Sequence, residues 1–285
     1  MICRHQPVDA ERMGDYTKMF SGITQWFEEL TADPSGTLIT LAYVAVCILF
    51  SLILHECAHG WVAFKCGDPT ARILGRLTLN PAKHLDPLGT VCMVFLHVGW
   101  AKPVPVNPRN FRHFRRDYIL VSLAGIVTNL LLCIISLIIS ALLCRVIYNS
   151  YLLEYARNNG LQNNLIDIYH MLFPSAVYSG EFQIVSGNMN PGCEWALYAQ
   201  RLFLMLAQMN LGLAIFNLIP VPPLDGYRFL DMFVFKGKLA MERSAMNIIQ
   251  IAFLVICMSG ILSKFLTTIN GAVFGVLSSA VSIIV

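Results

Sequence analysis

The chain has 285 residues, of which 56% are hydrophobic and only 13% charged, where a soluble domain carries about 25% charged residues. That balance, with a mean hydropathy of +0.62, is that of an integral membrane protein. A formal net charge of +3, with no basic run interleaved with aromatics, argues against nucleic acid as a partner.

In chain order, residues 1–36 form a polar arm with an aromatic patch, Phe20, Trp26 and Phe27, suited to a membrane interface. The start lacks the basic stub and apolar core of a cleavable signal, so the first span is expected to serve as the insertion signal. Thr37 to about Cys66 predicts one helix, longer than the roughly 20 residues needed to span. Within it, Leu38 to Leu54 carries no charge. Asp68 to Asp117 is rich in Pro, Gly, Arg and Lys. Inside that segment Gly89 to Val98 is apolar and β-branched but too short to span. It predicts a re-entrant strand or hairpin, which membrane depth tolerates only under cover of protein or water.

Tyr118 to about Ile147 predicts the second span, and residues 148–195 a polar, irregular external loop. Ala196 to Ile219 is the third span. Asn217 to Gly226 is a Pro-rich break, followed by an amphipathic stretch to Phe235. Met246 to Leu262 predicts a fourth span, and Phe265 to Val285 a fifth candidate. The fold class is therefore an all-α polytopic membrane protein of about four to five transmembrane helices, with a re-entrant strand or hairpin. The arm, 1–36, precedes one membrane-embedded domain, 37–285, with its core at 37–235. The nine Cys form no CxxC pair. Cys47, Cys92, Cys133 and Cys257 lie in apolar runs and read as small buried hydrophobes.

Lys and Arg set the orientation. Eight of them fall between Arg72 and Arg116, and Arg228, Lys236, Lys238 and Arg243 follow the third span. Both segments lie on one side if the spans alternate, and that side is expected to be cytoplasmic, in a plasma membrane. The arm carries Asp9, Glu11, Asp15, Glu28, Glu29 and Asp33 against Arg4, Arg12 and Lys18, and is expected outside.

The chemistry is concentrated in His-Glu-Cys-Ala-His, residues 55–59. Four residues apart on a helix, His55 and His59 share one face, a geometry that suits Zn²⁺. Glu56 beside them can act as a general base. An unpaired carboxylate in a spanning helix costs about 2.5 kcal/mol or more to insert, so a structural role is a poor account of it. Cys57 faces away from the two His and is not a ligand. A catalytic zinc site takes three protein ligands and keeps one open position. Asp225, after Asn217-Leu-Ile-Pro-Val-Pro-Pro-Leu and before Gly226, is the leading third candidate, at the depth inferred for the two His. From the residues alone, Pro-Leu-Asp-Gly is equally a surface turn.

These two motifs resemble the signatures of the site-2 protease family of intramembrane zinc metalloproteases, peptidase family M50. Two further stretches, Gly75 to Gly89 and Gly99 to Pro108, also resemble it, most closely its small bacterial and archaeal branch without PDZ or CBS domains. The resemblance runs from about residue 45 to 235 in consistent order. It departs at Ala124-Gly125-Ile126, where the family has Pro in place of Ile126. The resemblance implies one catalytic Zn²⁺ held by His55, His59 and Asp225, with Glu56 moving the proton in peptide-bond hydrolysis within the bilayer. It also implies substrates that are single-span membrane proteins.

Asn217 is a further catalytic candidate, able to bond substrate backbone or orient a ligand. Asn129 is a second, placed with substrate binding. The plain alternative for both is hydrogen bonding between helices. The strand-like Gly89 to Val98, including Val94 and Phe95, could hold an unwound substrate by β-pairing; otherwise it is a packing plug. His84 and Asp86 are expected to pin a loop, and His97 to be a buried His.

Two rival classes are a zinc transporter, which predicts repeated halves absent here, and an inactive scaffold that binds transmembrane helices. A zincin of unrelated fold would need Glu154, Glu181 or Glu194, all on the opposite face.

Overall fold

The computed structural model describes residues 31, 34–86, 102–158, 190–239, 242–258 and 261–284. Among these the protein is helical, with no extended strand. The predicted re-entrant segment, with Val94, Phe95 and His97, lies outside the described residues.

Helix α1, Pro34–Lys65, has 32 residues. At 1.5 Å per residue it is about 48 Å long, beyond the ~30 Å hydrocarbon core. Its buried face repeats every fourth residue: Cys47, Ser51, His55, His59, Ala63. Leu38, Val46 and Phe50 stay exposed on its other faces, the surface lipid would cover. Helix α3, Phe114–Ile147, has a matching buried stripe through Asp117, Val121, Gly125, Asn129, Cys133, Leu137 and Ala141. The contacts of the two stripes run in opposite directions along the chain, so α1 and α3 are antiparallel neighbours.

Helix α5, Glu194–Leu218, makes the most extensive pairing with α3 and also packs on α1. Small side chains permit it. Cys133, Ala141 and Cys144 of α3 meet Ala196 and Ala207 of α5 in one buried cluster with Leu137, Leu204 and Leu211. Close backbone approach is how helices associate where lipid is as apolar as the interface. Polar links add register. Asn210 donates to Ser51 Oγ at 2.9 Å. Arg201, buried, donates to Thr40 Oγ1 at 2.6 Å and stacks over Tyr43 at 4.9 Å. A desolvated cation–π contact of that kind contributes about 2 kcal/mol.

Between α1 and α3 the chain forms the short helix α2, Thr70–Ile73, and two 3₁₀ turns, Pro81–Lys83 and Pro108–Asn110. Asn80 and Asn107 cap these turns through their side-chain oxygens. Asp68 staples the loop: its carboxylate accepts from the backbone N–H of Asn107 at 2.7 Å, from Asn110 Nδ2 at 2.8 Å, and from both the N–H and hydroxyl of Thr70. Burial alone raises the Asp68 carboxyl, but these hydrogen bonds outweigh it and hold the group below the usual carboxylate value.

Helix α4, Ser150–Asn158, lies in the stretch expected to be wholly irregular. Helix α6, Asp225–Phe233, follows the Pro-rich break as expected. Helix α7, Arg243–Met258, covers 16 described residues. Helix α8, Ile261–Val281, packs on α5 and α3. Among the described residues four helices are long and apolar enough to cross a membrane: α1, α3, α5 and α8. The expected fifth candidate is thus a span by this measure; the expected fourth, Met246 to Leu262, lies only in part within the described residues.

Candidate metal centre

Two helices bring three side chains to one point. His55 and His59 come from the buried stripe of α1, and Asp225 is the first residue of α6. The Nε2 atoms of the two His lie 3.0 Å apart. Asp225 Oδ2 is 3.2 Å from His55 Nε2 and 3.0 Å from His59 Nε2. All three residues are buried, and they are the group of His, Cys, Asp and Glu among the described residues that could hold a metal ion.

The donor set can be tested against zinc. Tetrahedral ligands at 2.0–2.1 Å from an ion lie about 3.3 Å from one another, close to the edges of this triangle. Space is provided as well. A Cβ added to Gly125 would lie 2.5 Å from Nε2 of both His. Two nitrogens and one carboxylate oxygen suit Zn²⁺, and the residues therefore fit the ion.

Each candidate ligand is oriented by a neighbour. His59 Nδ1 is 2.7 Å from the carbonyl oxygen of Val121. Its Nδ1–H donates there, which leaves the Nε2 lone pair facing the other ligands. His55 Nδ1 lies 3.2 Å from the side-chain amide of Asn129. Asp225 sits where a helix N-terminus favours an anion. Burial alone raises its carboxyl, but His55 and His59 beside it hold it well below the usual range. Arg228, one turn on, is 3.7 Å from the other oxygen, Oδ1.

Asp225 reaches the two His because Gly226 lets the chain fold tightly. A Cβ there would fall 2.3 Å from the carbonyl oxygen of Leu218, at the end of α5. This close approach resolves the ambiguity of Pro-Leu-Asp-Gly, since the turn places its Asp in the protein interior and not at the surface.

Glu56 points off the ligand triangle. Its Oε2 accepts the backbone N–H of Val104 at 2.8 Å. The Val104 segment is anchored by Arg76, which donates to the carbonyl oxygens of Lys102 at 2.8 Å and Pro103 at 3.2 Å. Cys57 turns the other way, donating to the Thr78 carbonyl. His84, buried, pins the same loop through a 2.7 Å bond from Nε2 to that carbonyl.

The two asparagines separate. Asn129 is brought against His55, with its side-chain amide 3.2 Å from Nδ1. Asn217 donates to the carbonyl of Leu213 in its own helix at 3.0 Å and forms no hydrogen bond to the triangle. Sequence reasoning missed Gly125, Val121 and Val104. The last two act through backbone atoms, which no residue pattern advertises. Gly125 carried a signal in its small size next to Asn129 on one stripe.

Comparison with known proteins agrees with the geometry. The chain matches the model of Peptidase family M50 over residues 43–260. It is 36% identical over 216 residues to the "Putative zinc metalloprotease YwhC" of Bacillus subtilis (strain 168), covering 76% of this chain and 80% of that one. It is 28% identical over 208 residues to the "Putative zinc metalloprotease Rip2" of Mycolicibacterium smegmatis (strain ATCC 700084 / mc(2)155), covering 69% of this chain and 61% of that one. No solved structure is a significant match. A family match that contains the His pair, the loop that holds Glu56 and the returning Asp225 covers every part of this centre, and the chain belongs to peptidase family M50.

Proposed function

We propose that the protein is a zinc-dependent intramembrane endopeptidase that cleaves single-span membrane proteins within or near their transmembrane segments. The observation that carries this reading is the buried His55–His59–Asp225 triangle on helices long enough to span, with Glu56 adjacent. The names of the relatives support zinc as the metal and peptide hydrolysis as the reaction.

Bound by His55, His59 and Asp225, zinc supplies Lewis acidity toward the scissile carbonyl and toward a water molecule. Glu56 takes the proton from the attacking water on its carboxylate and returns it to the leaving amine. Val104 holds that carboxylate in place through its N–H. The helices around the site exclude bulk water and strengthen each of these interactions.

The site lies at the end of the bundle that carries the loop with Arg72, Arg76, Lys83, Lys102, Arg109 and Arg112. By the bias of Lys and Arg toward the cytoplasm, this end faces the cytoplasm in a plasma membrane. The substrate helix then enters from the bilayer and is cut near its cytoplasmic end.

The test is bound metal and cleavage of a model single-span substrate, in detergent, for wild type, Glu56→Gln and Asp225→Asn. Zinc in wild type, retained with loss of cleavage in Glu56→Gln and weakened in Asp225→Asn, is the expected pattern. A wild type that holds no zinc, or a Glu56→Gln variant that still cleaves, overturns the reading.

A further inference from the structure

We infer that Asn129 is a positioning residue that presents its amide oxygen to Nδ1 of His55 and thereby fixes the ring form in which Nε2 can bind metal. This rests on the reading of His55 as a ligand.

Asn129 is fully buried on α3, with 0% exposure. One end of its amide lies 3.2 Å from His55 Nδ1. In the orientation the structure gives, that end is Nδ2, and Oδ1 has no hydrogen-bond partner. The two orientations of an amide exchange nearly identical atoms, and the hydrogen-bond network decides between them.

The chemistry of His55 makes that decision. A neutral imidazole carries one proton. If Nε2 offers its lone pair to a metal, the proton is on Nδ1, which must donate. An amide NH₂ at 3.2 Å would then meet an N–H head on, two donors facing one another in a buried site, where an unmade hydrogen bond costs about 1–3 kcal/mol. Turning the amide by half a revolution places Oδ1 at that distance as an acceptor. The atom without a partner and the proton without an acceptor are resolved together.

His59 provides the internal comparison. Its Nδ1 already faces an acceptor, the Val121 carbonyl at 2.7 Å. Val121, Gly125 and Asn129 are successive turns of one stripe on α3. That stripe thus supplies a backbone carbonyl to one histidine, clearance for both, and a side-chain carbonyl to the other. The role differs from substrate binding and from hydrogen bonding between helices, since it acts on the tautomer of a ligand.

The experiment uses the full chain in detergent and titrates Zn²⁺ against a competing chelator for wild type, Asn129→Asp, Asn129→Leu and His55→Ala. Asn129→Leu removes the acceptor and is expected to weaken zinc binding by about 10–100-fold. Asn129→Asp keeps an acceptor and no donor, and is expected to bind zinc within about threefold of wild type or more tightly. The absorption of Co²⁺ loaded in place of Zn²⁺ provides a second readout, unchanged in Asn129→Asp and shifted in Asn129→Leu. Zinc affinity in Asn129→Leu equal to wild type overturns the inference. So does a loss in Asn129→Asp of tenfold or more, which would mean that the NH₂ group is the functional end. The Asn129→Asp result decides even if Asn129→Leu fails to fold. Full zinc affinity in His55→Ala overturns the metal-site reading itself, and the inference with it.

Discussion

The backbone N–H of Val104 donates to Oε2 of Glu56 at 2.8 Å, across 48 residues of sequence. The carboxylate next to the candidate metal ligands is thus held by a loop from outside its own helix. Pro103 and Pro105 flank Val104 and have no N–H of their own, so this donor has no neighbour that could replace it. A hydrogen bond to a charged group contributes about 1.5–3 kcal/mol. Val104→Pro removes the N–H at a position whose backbone Pro105 already restricts. Cleavage is expected to fall about 10–100-fold with zinc content unchanged, measured by substrate turnover and metal analysis on the same preparation. Loss of zinc together with activity would show that the loop supports the ligands and not Glu56.

Gly125 gives a sharper test of the metal centre. An added methyl group would lie 2.3 Å from Cε1 of His55 and 2.5 Å from both Nε2 atoms. Because these are ring atoms in a packed interior, relief requires α1 and α3 to move apart. Gly125→Ala is expected to weaken zinc binding by about 100-fold or more, while helix content by circular dichroism stays at the wild-type level. Normal zinc affinity in this variant would place the metal elsewhere.

Arg228 is expected to matter little. It is 3.7 Å from Asp225 Oδ1, and its side chain is 53% exposed. Such a pair contributes at most about 1 kcal/mol. Arg228→Ala should therefore change zinc affinity by less than about fivefold in a chelator competition. A larger change would identify the guanidinium as a main support of the carboxylate.

Asp68 predicts a pH dependence of stability remote from the metal. Its folded carboxyl titrates below the ordinary value because its bonds to Thr70, Asn107 and Asn110 outweigh the effect of burial. A depressed value means stabilisation that is complete above the unfolded value of about 3.9 and is lost as pH falls through the lower folded one. Asp68→Asn is expected to lower the melting temperature at pH 7, by the equivalent of about 1–3 kcal/mol. The gap from wild type should narrow below about pH 4. Thermal unfolding in detergent across pH 3–8 measures both. A gap that stays constant across that range would assign the loss to shape and not to charge.

Much of this was legible in the residues. The period of four between His55 and His59, set in an uncharged run, places two nitrogens on one helix face without further information. The Pro-rich stretch before Asp225 marks a sharp turn, but whether the turn faces inward depends on Gly226 touching Leu218, a contact made only after α5 and α6 dock. Helix α4 escaped notice because its amphipathic pattern lasts only nine residues, Ser150–Asn158, little more than two turns. The place of Asn129 beside His55 was hidden for another reason: it is set by the antiparallel register of α1 and α3, which packing decides and no local pattern records.

The three candidate ligands also arrive in a set order as the protein is made. His55 and His59 leave the ribosome with the first span, but Asp225 follows only after α3 and α5 have been synthesised. Until that residue arrives, the nascent chain holds two histidines and a glutamate with no complete set of ligands around them. The set is complete only when α6 folds back against α3 and the end of α5.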